Sequence, residues 1–265
     1  MRVVVIGGGV MGRALITGFA GLNPAPQIVV VEKDPDRAAD LQSAGFAVGG
    51  LDAVADADVL LLAVKPQDVA ALVATIGGAI PESAVVISIA AGVSTAALSA
   101  HIAAAGGSAR AIVRVMPNTP ARIGAGVLGV SAGTDCPESA VATAVRLMET
   151  AGVVVTIPED QQEALTAVSG SGPAYVFYLA EQLIASARAH GLSEDVAAAI
   201  VRQTLLGSAL LYAESGESPE VLRRNVTSPG GTTAAAIAVF EDRAFAEIVH
   251  AALAANIARS GELSL

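Results

Sequence analysis

A glycine-rich turn near the start of the chain constrains the fold more than any other feature of the sequence. The apolar run Arg2–Ile6 has the length of a β-strand, and residues 13–19 have the composition of a helix. Between them lies a G-x-G-x-x-G sequence, Gly7-Gly8-Gly9-Val10-Met11-Gly12. In a strand–turn–helix unit the first glycine permits a tight turn, the second leaves room for a pyrophosphate, and the third lets the helix pack on the strand. We therefore predict that Gly7, Gly9, Val10, Met11 and Gly12 form a dinucleotide-binding turn.

Short apolar runs continue through the first half of the chain. The predicted strands are Arg2–Ile6, Gln27–Val31, Val59–Val64, Ala84–Ile89 and Ala111–Val115, with Gly126–Val130 and Val153–Ile157 as two further ones. They show little polar alternation, which is typical of strands that are buried on both faces. Because helical segments separate them, the runs predict a parallel sheet with right-handed crossovers. We expect an α/β domain of the Rossmann type over residues 1–158.

The chain changes character after Pro158. No convincing strand follows, and apolar-rich helices are separated by glycine and proline. Ser193, which precedes two acids, and Ser218, which precedes Pro219, are typical N-cap residues. Residues 196–211 are nearly all apolar, and a helix that is apolar on most faces must be surrounded. We therefore predict an all-helical domain over residues 159–265 through which the protein forms a homodimer.

Composition and charge exclude several classes of function. The formal net charge is −10 and Lys and Arg do not cluster, which argues against nucleic acids and anionic membranes as partners. The single cysteine, Cys136, excludes an internal disulfide framework. His-x-x-x-His spacing is absent from the sequence, so we expect no metal site. The apolar run Val3–Ile6 is too short for a secretory signal, and we expect a soluble, cytoplasmic protein.

The second predicted strand ends in residues that bear on the choice of dinucleotide. Glu32 follows this strand, and an acid in this position can accept a hydrogen bond from the ribose 2′-hydroxyl of NADH. Lys33 and Arg37 lie close by in the sequence, and either could pair with the 2′-phosphate of NADPH instead. Glu32 and Lys33 are therefore candidate cofactor-binding residues, and Glu32 slightly favours NADH.

Four further motifs complete a pattern that resembles one enzyme family. They are Ala63-Val64-Lys65-Pro66, Val115-Met116-Pro117-Asn118-Thr119-Pro120, Ser169-Gly170-Ser171-Gly172-Pro173-Ala174-Tyr175 and Val226-Thr227-Ser228-Pro229-Gly230-Gly231-Thr232-Thr233. In this order, and together with the glycine turn, they resemble pyrroline-5-carboxylate reductase over essentially the whole chain. The resemblance implies a Rossmann-type domain followed by a helical dimerisation domain, with dimers often joined into larger rings.

The resemblance also implies a reaction and a set of site residues. The family reduces 1-pyrroline-5-carboxylate to L-proline with NADPH or NADH, so the expected partner is a small imino acid. The residues expected to bind the cofactor near its nicotinamide half are Ala63, Lys65, Pro66 and Ala91, and Asn225 is expected to reach the cofactor as well. The residues expected to hold the substrate are Ser228, Gly231, Thr232 and Thr233. The chain departs from the family pattern at Gly49-Gly50, close to where relatives often carry Asn.

The chemistry of these residues supports the assignment independently. Thr232 or Thr233 is predicted to N-cap the helical run Ala234–Phe240, and a helix N-terminus that follows two glycines suits a carboxylate. Reduction of a protonated imine needs a hydride donor and accurate positioning but no strong acid. Either the hydroxyl of Thr233 or a water molecule could supply the proton to the ring nitrogen, which makes Thr233 the candidate catalytic residue.

Three other classes of protein are alternatives. A broader imine reductase or a β-hydroxyacid dehydrogenase would also pair a Rossmann-type domain with a helical one. The hydroxyacid enzymes need a proton donor such as Lys in the second domain, and Gln161–Leu265 contains no Lys. A redox sensor would bind the nucleotide without turnover. A purely structural oligomer would leave the glycine turn without a role.

Overall fold

The computed structural model describes residues 1–109 and 111–263. The chain forms two compact units. The first unit contains Met1–Ser171 together with the residues from Asn256 onward, and the second contains Gly172–Ala255.

The first unit is built on an eight-stranded sheet. Its strands are β1 (Arg2–Ile6), β2 (Gln27–Val31), β3 (Ala47–Val48), β4 (Val59–Leu62), β5 (Val85–Ser88), β6 (Ile112–Met116), β7 (Gly126–Ala132) and β8 (Gly152–Thr156). The strand order is β3-β2-β1-β4-β5-β6-β7-β8. All seven predicted strands are present, and the Rossmann-type α/β prediction is confirmed. The two-residue strand β3 was not predicted.

The direction of β7 corrects the prediction of a parallel sheet. Strands β1 to β6 are parallel, but β7 runs antiparallel to β6, with Val115 opposite Val130. The connection between β6 and β7 contains only a short 3₁₀ helix, Thr119–Ile123. A parallel pair needs a crossover of a dozen or more residues, so this short link allows only the antiparallel arrangement. Strand β8 is again parallel to β7.

Helices cover both faces of the sheet. The helices of the chain are α1 (Val10–Ala20), α2 (Pro35–Ser43), α3 (Pro66–Ile76), α4 (Thr95–Ala104), α5 (Glu138–Met148), α6 (Gln162–Leu165), α7 (Gly172–Ala189), α8 (Glu194–Ser215), α9 (Pro219–Asn225), α10 (Thr232–Asp242) and α11 (Phe245–Leu263). Val3 and Val5 belong to one hydrophobic cluster, which contains buried residues of α1 and α5. Val4 belongs to the cluster on the other face, with residues of α3 and α4. This alternation explains why β1 is apolar throughout.

The residues that follow β8 remain part of the first unit. The buried side chain of Gln162 donates to Ser131 Oγ at 2.8 Å and to the carbonyl oxygen of Gly129 at 3.2 Å. The buried Arg114 of β6 forms an ion pair with Glu159 at 3.4 Å. Glu159 also accepts hydrogen bonds from the backbone N–H and the hydroxyl of Thr95, at 2.8 and 2.6 Å. The compact unit therefore extends to Ser171, whereas the domain boundary at residue 158 stays a prediction.

The second unit contains helices α7 to α10 and the first part of α11, and no strand occurs among its residues Gly172–Ala255. The predicted N-caps are confirmed, since Ser193 precedes α8 and Ser218 precedes α9 with Pro219 in its first turn. Large apolar side chains are exposed on these helices. Phe177 and Tyr178 are 63% and 64% exposed, and Leu211 and Tyr212 are each 55% exposed. By length and composition alone, α8 could also cross a membrane.

Candidate functional site

A cleft of about 1110 Å³ opens in the first unit where the parallel strands end. It lies at the carboxyl ends of β1, β2, β4, β5 and β6, across the point between β1 and β4 where the strand order reverses. Open α/β sheets bind ligands in such a position. The predicted cofactor residues that line this cleft are Gly7, Gly9, Val10, Met11, Gly12, Glu32, Lys33, Ala63, Lys65, Pro66 and Ala91.

The glycine turn has the shape that a dinucleotide requires. Gly7 has a φ of +104°, and a Cβ atom there would lie 2.5 Å from the carbonyl oxygen of Ala63. A Cβ atom on Gly12 would lie 2.1 Å from the carbonyl oxygen of Gly7, so this position also excludes a side chain. A Cβ atom on Gly9 would meet no protein atom within 4 Å. Gly9 is the N-cap of α1 and has no side-chain cap, so open space faces the N–H groups of a helix N-terminus. These features fit a pyrophosphate.

Glu32 at the end of β2 is held by three hydrogen bonds. Its side chain is 4% exposed. One carboxylate oxygen accepts from the N–H of Gly8 at 2.9 Å, and the other accepts from the N–H of Asp34 at 2.9 Å and from Arg37 Nη2 at 3.2 Å. Burial alone would raise the pKa of Glu32, but the hydrogen bonds of Arg37, Asp34 and Gly8 bring its pKa below the ordinary value. Glu32 is therefore ionised at neutral pH and fastens the glycine turn to the end of β2.

Two cationic side chains accompany Glu32 in the wall of the cleft. The half-exposed Arg37 pairs with Glu32 at 3.2 Å and with Asp34 at 3.4 Å. Lys33 also lines the cleft, and no ion pair to it is present within residues 1–109 and 111–263. The adenosine side of the cleft, next to β2, therefore combines one carboxylate with two cations.

The opposite side of the cleft is formed by the ends of β4, β5 and β6. Lys65 is the N-cap of α3, and Pro66 occupies the first turn of this helix. Among the lining residues for which no role was predicted are Gly49, Gly50 and Leu51, and also Met116, Pro117 and Thr119. The first three follow the short strand β3, which has little sequence signal. The last three belong to a motif that the resemblance had identified without giving its residues a function.

The remaining predicted site residues lie in the second unit. Asn225 is the last residue of α9, and Ser228 to Gly231 form the turn before α10. The prediction that Thr232 or Thr233 caps this helix is wrong, because Gly231 is the N-cap and makes no side-chain cap. The reason is that Gly230 has a φ of +69°, so the turn closes with the N–H of Gly231 bonded to the carbonyl oxygen of Ser228 at 3.0 Å. Thr232 and Thr233 lie in the first helical turn, whose N–H groups lack helical acceptors.

Both parts of the chain match known families. Residues 159–263 match the family described as pyrroline-5-carboxylate reductase dimerisation, and residues 2–92 match the family described as NADP oxidoreductase coenzyme F420-dependent. A pyrroline-5-carboxylate reductase of Pseudomonas aeruginosa is 38% identical over 99% of this chain and 97% of its own length.

Solved structures agree with the sequence matches. A pyrroline-5-carboxylate reductase from Coxiella burnetii is similar with a TM-score of 0.90 and 35% identity, over 99% of this chain and 98% of the other. A Plasmodium falciparum pyrroline carboxylate reductase with NADP bound is similar with a TM-score of 0.85 and 27% identity, over 100% of this chain and 98% of the other.

Proposed function

Since the chain belongs to the pyrroline-5-carboxylate reductase family, we propose that residues 228–233 hold 1-pyrroline-5-carboxylate while the cleft of the first unit holds the nicotinamide cofactor. The enzyme reduces this imino acid to L-proline. When bound, the cofactor supplies a hydride to the imine carbon. The observation that supports the proposal most directly is the open space at Gly9, next to the N-terminus of α1.

The protein's own contribution is positioning. The imine carbon is already electrophilic, so accurate placement of the two reactants can provide much of the rate enhancement. The first turn of α10 offers unpaired N–H groups and the hydroxyls of Thr232 and Thr233, which suit the substrate carboxylate. In this proposal the proton for the ring nitrogen comes from the hydroxyl of Thr233 or from a water molecule.

The charges beside the adenosine ribose support a preference for NADH. Glu32 is ionised and lines the cleft, so it repels a 2′-phosphate and can accept a hydrogen bond from a 2′-hydroxyl. The charge of Arg37 is already balanced by Glu32 and Asp34. Only Lys33 then favours the additional phosphate of NADPH, and we infer that it does not outweigh Glu32.

Replacing Glu32 by alanine is expected to shift this preference towards NADPH. The change removes the repelling carboxylate and one of the two acidic partners of Arg37, so the ratio of kcat/KM for NADPH to that for NADH should rise about tenfold, or about 1.4 kcal/mol. Steady-state kinetics with both cofactors measures the ratio. A Glu32→Ala/Arg37→Ala double variant should lose most of the gain. An unchanged ratio in Glu32→Ala would remove the basis for the NADH preference.

The exposed apolar side chains of the second unit support a homodimer as the basic assembly. Such dimers could join further into the rings that the family resemblance implies. Exposed aromatic and aliphatic groups such as Phe177, Tyr178 and Leu211 are typical of surfaces that a partner covers. The same contact would cover α8, so we propose that this helix packs in a dimer and that the protein is a soluble, cytoplasmic enzyme.

Sedimentation velocity at micromolar concentration is expected to give a dimer or an even multiple of it. Leu211→Glu should shift the protein towards the monomer, because it places a charge on the apolar surface, whereas Lys33→Glu, in the first unit, should leave the assembly unchanged. A monomeric wild-type protein under these conditions would contradict the proposal.

A further inference from the structure

Two motifs that are distant in the sequence meet beside the cofactor cleft. Asn118 follows β6 and is 7% exposed. Its Nδ2 donates to the carbonyl oxygen of Ser169 at 3.0 Å, and its Oδ1 accepts from the N–H of Val127 at 2.9 Å. One buried amide thus fixes the loop after β6 both to β7 and to the segment before α7.

The partner segment of Asn118 has an unusual helical geometry. Residues Thr166–Gly170 form a π-helical turn, closed by a hydrogen bond from the N–H of Ser171 to the carbonyl oxygen of Thr166 at 2.9 Å. In a regular helix the carbonyl oxygen of Ser169 would accept from residue 173, but residue 173 is proline and has no N–H. The Ser-Gly-Ser-Gly-Pro sequence therefore leaves this carbonyl group available to Asn118. Single π-helical turns occur frequently at functional sites.

The neighbouring glycine is packed against a side chain that lines the cleft. A Cβ atom on Gly170 would lie 3.0 Å from Cε of Met116. Met116 lines the cleft at the end of β6, together with Pro117 and Thr119. The absence of a side chain at residue 170 therefore leaves room for the terminal methyl group of Met116.

We propose that Asn118 is a positioning residue for the nicotinamide ring and that the π-helical turn Thr166–Gly170 is its support. Asn118 fixes the loop 116–119 to Ser169, and Gly170 leaves room for Met116. The wall of the cleft that this loop forms is therefore held in a single conformation. The wall lies at the ends of β5 and β6, across the strand-order reversal from Glu32, where the nicotinamide half of a dinucleotide binds. The inference rests on the proposed function, because a shifted ring matters for turnover only if a hydride is transferred.

Substitution of Asn118 tests the inference. Asn118→Asp keeps the acceptor for Val127 but cannot donate to Ser169 when ionised, and Asn118→Ala loses both bonds. Both variants should lower kcat about tenfold, whereas the cofactor dissociation constant should change less than about threefold. Ser131→Ala is the matched control, because Ser131 is also buried, bonds Gln162 of α6 and does not line the cleft. It should lower the unfolding midpoint without lowering kcat.

A double-mutant cycle tests the contact between Gly170 and Met116. Gly170→Ala should lower kcat, because the added methyl group pushes Met116 into the cleft. In a Met116→Ala background the same methyl group should have little further effect, so the two changes should be non-additive. Additive effects would overturn the role assigned to Gly170.

Fluorescence of bound NADH separates this inference from the proposed function, because the emission spectrum needs no imine substrate. The spectrum of NADH bound to Asn118→Ala should differ from that bound to the wild type, whereas Ser131→Ala should match the wild type. If the wild type does not reduce the imine, the proposed function is wrong, but the emission spectra still test the positioning role. Identical spectra for all three proteins, or an equal fall in kcat for Ser131→Ala, would overturn the role of Asn118.

Discussion

A Gly9→Val variant is expected to fold normally and to lose at least about a hundredfold in affinity for the nicotinamide cofactor, or about 3 kcal/mol. Gly9 has a φ of −66° and a ψ of −173°, which valine adopts without strain, and a Cβ atom there meets no protein atom within 4 Å. The valine side chain would instead fill the space beside the N-terminus of α1. Because this space fits a pyrophosphate, the variant should be stable but unable to bind the dinucleotide.

Titration of NADH fluorescence measures the affinity of this variant, and circular dichroism with thermal unfolding measures its fold. Gly12→Val provides the contrast, since a Cβ atom there lies 2.1 Å from the carbonyl oxygen of Gly7. That variant should lose stability as well as binding. A folded Gly9→Val protein that retains its cofactor affinity would show that the glycine turn is not the phosphate site.

A Thr233→Ala variant is expected to raise the KM for the imino acid and to lower kcat, with cofactor affinity nearly unchanged. Thr233 lies in the first turn of α10, where its hydroxyl and the free N–H groups suit a carboxylate. A hydrogen bond to a charged group contributes about 1.5 to 3 kcal/mol, so kcat/KM should fall by about 10- to 100-fold. Steady-state kinetics with varied imino acid measures both parameters.

Thr227→Ala is the matched control for this prediction. Thr227 precedes the same turn, but its hydroxyl donates locally to the carbonyl oxygen of Arg223 at 2.6 Å. The control should therefore change kcat/KM for the imino acid much less than Thr233→Ala. If Thr233→Ala weakened cofactor binding as strongly as substrate binding, the assignment of Thr233 to the substrate would be wrong.

The positions of the strands could be predicted because a strand that is buried on both faces appears in the sequence as an uninterrupted apolar run. A strand such as β4 is covered on both faces, so all its residues are apolar, and the run is visible without any tertiary information. The composition of β7 carries no sign of its direction, since an apolar strand looks the same in either direction; the sign lies in the connection from β6, residues 117–125, which is too short for a parallel crossover. Strand β3 has only the residues Ala47 and Val48 and is too short for a pattern.

The candidate site could be predicted from the sequence only where its geometry depends on residues that are adjacent along the chain. The glycine turn is local, and its spacing alone indicates the open space at Gly9. The contacts of Glu32 and Asn118 are not local, because the bond from Gly8 to Glu32 spans 24 residues and that from Asn118 to Ser169 spans 51. Only the folded sheet brings these groups together, so the sequence could suggest a ribose contact for Glu32 but not its role in fastening the turn.

Oxidation of NADH and NADPH by the purified protein, followed by absorbance with and without 1-pyrroline-5-carboxylate, tests most directly whether this chain is an imino-acid reductase. We expect oxidation that depends on the imino acid, forms L-proline as product and is faster with NADH than with NADPH. Faster oxidation of NADPH would overturn the role given to Glu32 in cofactor choice but not the reaction. Absence of oxidation with both cofactors, in a protein shown to bind them, would contradict the claim that this chain is an imino-acid reductase.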